Sequence, residues 1–183
     1  MPDFKTYRLF IAPQTHIRTV KDERWLTAEG VTDKYLIDFG KKKYEQRKLE
    51  GKKHLGSPND YINRKKYILK YFEYKRKLKI EANKVGLHSF PLQNIWIKFF
   101  IPMPKSWSKK KKNQHCFELH SVRPDIDNYS KGLFDSLLKE DNFISDFRAS
   151  KFWYDGPGHI EIEVGSLPPA IGYKKIEREE KIK

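Results

Sequence analysis

The feature that most constrains the fold is one short run, Asn94–Ile101 (NIWIKFFI), nearly continuous in apolar residues and rich in aromatics. It has the length of a strand, and it predicts a central one. Pro102 and Pro104 close it. Weaker strands are then expected around it. Phe4–Ala12 is the first, with Tyr7, Leu9 and Ile11 alternating against Arg8 and Phe10. Ile144–Tyr154 and His159–Val164 follow, joined across Asp155-Gly156-Pro157-Gly158. In the last of these, Ile160, Ile162 and Val164 alternate with Glu161 and Glu163, the pattern of a half-buried strand. His159, beside that hairpin turn, reads as structural or solvent-facing.

Two helices complete the pattern. Ser57-Pro58-Asn59-Asp60 is a helix-start signal, and Tyr61–Val85 carries Tyr61, Ile68, Tyr71, Phe72, Leu78 and Ala82 at helical spacing. Arg64, Lys65, Lys66, Lys70, Lys75, Arg76, Lys77 and Lys79 give it a basic outer face, either a solvated surface or a DNA-facing one. Gly86 ends it. Asp127–Lys139 is the second helix, with Tyr129, Leu133, Phe134, Leu137 and Leu138 inward. Residues 13–57 read as a long, irregular basic connection holding a short helix at Lys42–Leu49. PKSWSKKKKNQH (residues 104–115) reads as a basic loop, and residues 174–183 as a frayed tail. The fold class is therefore α+β. A small mixed sheet packs on a long amphipathic helix and a shorter one, in a single domain over residues 1–173.

Composition excludes several classes. The apolar fraction is 38%, under the usual ~45–50%, but 12 Phe, 10 Tyr and 4 Trp supply bulk for a core. The single Cys116 rules out an internal disulfide and fits a reducing compartment. No apolar run approaches the ~20 residues of a membrane span, and the N-terminus lacks a signal-peptide pattern. With 38 Lys+Arg against 24 Asp+Glu, the formal charge is +14. That predicts attraction to polyanions, nucleic acid before an anionic membrane, since no basic amphipathic terminal segment stands out.

The segment that carries chemistry is RPDIDNYSKGLFDSLLKEDNFISD, residues 123–146. In extended chain, residues i and i+2 point the same way, so Asp125 and Asp127 reach one point at a helix start, where the dipole favours negative charge. Lys131 lies one helical turn beyond Asp127. Glu140 and Asp141 follow the helix, and return beside the pair if the next strand pairs with the chain leading into Arg123. Converging carboxylates call for a hard cation, Mg²⁺ or Mn²⁺. On a basic protein such a site points to phosphodiester cleavage. Asp127 as a helix cap and Lys131 as an ion-pair partner of Asp127 or Asp135 are the alternatives. Trp107 either stacks on a base or pins its loop to the body. His115, Cys116 and His120 lie close together, but their spacing matches no common zinc pattern. Trp153 and Phe152 read as core or interface.

R-P-D-I-D-N-x-x-K-x-x-x-D-x-L, followed by an acidic pair and a strand, resembles the signature of the RusA family of Holliday-junction resolvases. The upstream M-P-K-S-W-S-K-K-K-K is similar to phage and bacterial members. The likeness runs from Asn94 to Val164 and extends more weakly over Ser57–Gly86. It implies a cytoplasmic, nucleoid-associated protein of bacterial or phage origin, acting as a homodimer that nicks four-way junctions in pairs with Mg²⁺. It also implies that Asp125, Asp127 and Asp141 hold the metal and that Lys131 is catalytic. Lys105, Trp107, Lys109, Lys110, Lys111, Lys112 and Arg123 are the candidate DNA contacts. His16, Arg18, Lys21, Arg24 and Trp25 stand where such members carry a proline-rich basic loop. The remaining readings are a non-catalytic basic DNA-binding module and a less selective Mg²⁺-dependent nuclease.

Overall fold

The computed structural model describes residues 5–17, 33–52, 56–165 and 179–181. Arg18, Lys21, Arg24 and Trp25 lie outside them. The chain divides into two compact units. One takes in the chain up to His16 and from Lys75 onward, the other spans Ile17–Tyr74. Among the described residues, helices and a mixed sheet make an α+β protein, as the sequence predicts. No described helix is long and apolar enough to cross a membrane.

The second unit contains α1 (Asp33–Leu49) and the first part of α2 (Pro58–Lys84). The short helix expected at 42–49 is the end of a longer one. Gly40 is buried inside α1, and a Cβ there would lie 2.7 Å from Ile62 Cγ1. A single mid-helix glycine costs only about 1 kcal/mol, and close packing offsets it. α2 starts where its signal predicts. Ser57 N–H and Oγ–H donate to Asp60 Oδ2 at 2.6 and 3.0 Å, and Asp60 N–H returns to Ser57 Oγ at 3.3 Å, a reciprocal cap. Its buried stripe runs Ile68, Tyr71, Tyr74, Leu78, Ala82. Lys65 belongs to that stripe and not to the outer face, being 5% exposed with its ammonium 4.8 Å from the Phe39 ring.

The first unit is built on β3 (Ile95–Pro102), which is central as predicted. β5 (His159–Val164) pairs antiparallel on one side of it and carries β1 (Lys5–Leu9) at its outer edge, while β4 (Phe147–Tyr154) pairs parallel on the other side. The hairpin expected between β4 and β5 is therefore absent: β3 lies between them. The 155–158 link passes across the end of β3, where a Cβ on Gly158 would sit 2.5 Å from the Phe100 carbonyl oxygen. Only glycine fits that crossing. The tail is also not wholly frayed, since β6 (Glu179–Lys181) pairs antiparallel with β2 (Ser89–Pro91).

Register sorts the sheet's two faces. Leu9, Ile95, Ile97, Phe99, Ile160 and Ile162 share one face and are fully buried. Against it packs α4 (Ile126–Leu137), with Tyr129 on Phe99 at 5.6 Å between ring centroids, and Phe134 edge-on to Phe90 and Phe147. The extended stretch 14–16 straps across α4. His16 N–H donates to the Asn128 carbonyl at 2.8 Å, and its ring meets Asp135 at 2.5 Å. The strap needs Gly132, where a Cβ would lie 2.7 Å from Gln14 O. On the other face Glu161 is 8% exposed rather than solvent-facing. A buried carboxylate needs partners, and Arg8 supplies them from Nη2 and Nε at 2.6 and 2.7 Å. Lys98 pairs with Glu163, and its ammonium and the Arg148 guanidinium lie 4.0 and 4.4 Å from the centre of the Trp96 ring.

Candidate active site

α4 presents two different sides. Tyr129, Leu133, Phe134 and Leu137 are buried, whereas Asp127 and Lys131 are exposed on the outer side, one turn apart. Asp125 is the N-cap residue, with φ −71° and ψ 153°, yet its side chain makes no capping hydrogen bond. A capping aspartate normally accepts from the N–H two or three residues on. Here that carboxylate is exposed instead, next to a helix terminus that favours negative charge. Asp127 lies inside the first turn and is not the cap. Asp135 is committed to His16, and among the described residues no ion pair joins Lys131 to Asp127 or Asp135. Asp125, Asp127 and Lys131 are thus all exposed around the start of α4, with exposed Arg123 two residues before Asp125.

The structure separates Asp141 from that pair. The pairing it was expected to need is present: Leu119 bridges antiparallel to Phe152, Phe117 N–H donates to Trp153 O, and His120 N–H donates to Lys151 O. But β4 begins only at Phe147, and Asp141 lies in a turn beyond the far end of α4, accepting from Ile144 N–H at 3.1 Å. The helix alone puts about 20 Å between its two caps. Among the described residues, no group of three or more His, Cys, Asp or Glu side chains is placed to hold a metal ion. Two carboxylates remain, and Mg²⁺ is commonly held by one or two plus substrate phosphate. The Asp125–Asp127 donor set fits that hard ion.

The lysine run is not a loop. Lys109–His115 forms α3, capped by Ser108, whose Oγ accepts from Lys111 N–H at 3.3 Å. Trp107 is half-buried, 4.9 Å from Trp153 and 5.3 Å from His115, with the Lys111 ammonium 4.2 Å over its ring. It pins α3 to β4. Lys112 is tied to Asp155 at 3.0 Å. Lys105, Lys109 and Lys110 are exposed.

One residue near the site, Lys151, escapes sequence reasoning, and the structure places two histidines named there. Lys151 donates from its ammonium to the carbonyls of Val122 and Pro124, both at 2.6 Å. His120 is 4% exposed, 4.0 Å from the Trp153 ring, with Nδ1 buried and without a described partner. Burial holds its pKa below the usual histidine value, and the nearby Lys151 charge pushes the same way. His159 is structural, stacked on Phe100 at 4.2 Å, and burial lowers its pKa too.

Compared with models of known families, the chain matches the one described as "Endodeoxyribonuclease RusA" over residues 41–165. The chain belongs to the RusA endodeoxyribonuclease family. The matched region takes in the Asp125–Asp127 pair, Lys131 and α3. A curated relative is "Uncharacterized protein YqaN" from Bacillus subtilis (strain 168), 37% identical over 76 residues, which cover 37% of this chain and 53% of that protein. The chain thus spans about half the length of the curated relative it matches. No solved structure matches.

Proposed function

We propose that this RusA-family chain is a metal-dependent endodeoxyribonuclease that resolves four-way junctions and related branched DNA by paired phosphodiester cleavage. In this reading it acts as a homodimer in the cytoplasm of a bacterium or phage-infected cell, associated with the nucleoid. The observation that supports the reading most is the exposed Asp125–Asp127 pair at the start of α4, with Lys131 one turn on. A pure DNA-binding module gains nothing from exposed carboxylates on a DNA-facing surface, because they repel phosphate.

Asp125 and Asp127 would hold Mg²⁺, or Mn²⁺ in its place, without Asp141, which lies beyond the far end of α4. When bound, the ion neutralises charge on the phosphate and promotes ionisation of water. The protein's own groups do the rest. Hydrolysis joins a water oxygen to phosphorus and breaks the bond to the leaving oxygen, and negative charge grows on the phosphoryl oxygens. The Lys131 ammonium, fixed by the helix, stabilises that charge. Arg123, Lys105 and the lysines of α3 hold the strand, and Trp107 keeps α3 in place. Twofold symmetry of a dimer would relate two such sites as the two equivalent junction strands are related.

Lys131 gives the sharpest internal test. If it acts on the transition state, Lys131→Ala lowers turnover by roughly 10²–10³-fold while junction affinity and metal requirement stay near wild type. Single-turnover cleavage at several Mg²⁺ concentrations measures this. Recovery of the full rate at high Mg²⁺ would reduce Lys131 to a support for Asp127.

A further inference from the structure

The stretch 121–125 joins the edge of the sheet to the start of α4, and all five of its residues are exposed. Before it, His120 N–H holds the chain to Lys151 O at 2.9 Å, and after it α4 begins. Between those points it has little packing of its own. It nevertheless carries Arg123 and ends on Asp125.

From this geometry we infer that Lys151 is the positioning residue of the site: it fixes the 122–124 backbone and thereby the direction of the Asp125 carboxylate. An ammonium has three donors and no acceptor. Two of the Lys151 donors are spent on the carbonyls of Val122 and Pro124, both at 2.6 Å. These are charge-assisted bonds, which are short and directional. They clamp the residue immediately before Asp125 and the one two before that. Lys151 itself is held twice on the sheet: its carbonyl accepts from His120 N–H, and its register is set opposite Phe99. The rigidity of β4 therefore passes to the metal-binding end of α4 through one side chain. With two donors committed to backbone, Lys151 is placed to support the site rather than to act on the phosphate.

The inference rests on Asp125 being a metal ligand, and its test separates the two claims. Amide hydrogen exchange over residues 121–127 is compared in wild type, Lys151→Met and Lys151→Arg, and Mn²⁺ affinity is measured directly by electron paramagnetic resonance. In Lys151→Met, exchange should accelerate over 121–127 with α2 and β3 unchanged. Mn²⁺ affinity should fall roughly 10–100-fold, the range for loss of an outer-sphere support. Lys151→Arg, which keeps charge and donors, should recover most of both. If Lys151→Met does not fold, Lys151→Gln, which keeps two amide N–H donors but no charge, should fall between wild type and Arg on one side and complete loss on the other. Unchanged exchange over 121–127 in a folded Met or Gln variant overturns the anchoring role. Faster exchange with wild-type Mn²⁺ affinity overturns the link to Asp125. A wild-type protein that binds no Mn²⁺ and cuts no DNA overturns the nuclease reading instead, and exchange alone then decides Lys151.

Discussion

Asparagine at Asp125 or at Asp127 is expected to stop cleavage while leaving the junction bound as tightly as before or more so. Asparagine keeps the shape of aspartate, and neither side chain makes a capping hydrogen bond or is buried, so α4 and its buried face should be undisturbed and the melting temperature near wild type. What is lost is one of the two carboxylates exposed at the start of α4, the proposed ligands of the ion. An ion held by a single carboxylate has little advantage over hydrated Mg²⁺, which gives up its waters reluctantly. Binding moves the other way, because a charge that repels phosphate has gone. Asp141→Asn should have a smaller effect than either, since Asp141 lies beyond the opposite end of the helix. Gel-shift and cleavage assays on the same preparations check all three. Near-normal cleavage by the Asp125→Asn protein would remove the pair from the reaction.

The second large effect is on salt dependence. A chain of +14 that neutralises about 6–10 phosphates should lose roughly 10³–10⁵ in affinity between 50 and 200 mM salt. The structure separates the lysines of α3 by the partners they already have. Lys112 is already neutralised by Asp155, and Lys111 rests on Trp107. Lys109 and Lys110 are exposed on a helix held firmly to β4. Replacing these two with alanine should lower the slope of log affinity against log salt by about 2, at ~0.9 per phosphate contact on duplex. Removing Lys112 should change it less and loosen α3 instead. An unchanged slope in the Lys109→Ala, Lys110→Ala protein would place α3 away from DNA.

Legibility in the sequence followed the range of the signal. β3, α2 and α4 are written in local periodicity and in caps such as Ser57–Asp60, and they formed where expected. The order of β4 and β5 around β3 is a tertiary matter: a Gly-Pro-Gly link reads as a hairpin unless the strand it must cross is known. α3 has no apolar periodicity in Lys-Lys-Lys-Lys and no buried residue, so its support comes from Ser108 and the Trp107 cluster, which no pattern of spacing announces. Around the proposed site, the helix start near Asp127 and the exposure of Asp127 and Lys131 one turn apart were legible from the helical period alone. Asp141 was carried over from the family resemblance, and its return beside the pair depended on a strand that starts only at Phe147, six residues later. Lys151 left no trace in the sequence, since its partners are backbone carbonyls.

The most direct measurement places purified protein with Mg²⁺ on a synthetic four-way junction of fixed sequence, beside a linear duplex containing the same arms, with EDTA controls. The account predicts paired nicks in opposing strands of the junction, little cutting of the duplex, and no cutting of either in EDTA. Junction binding without cleavage, or equal cutting of junction and duplex, would contradict it.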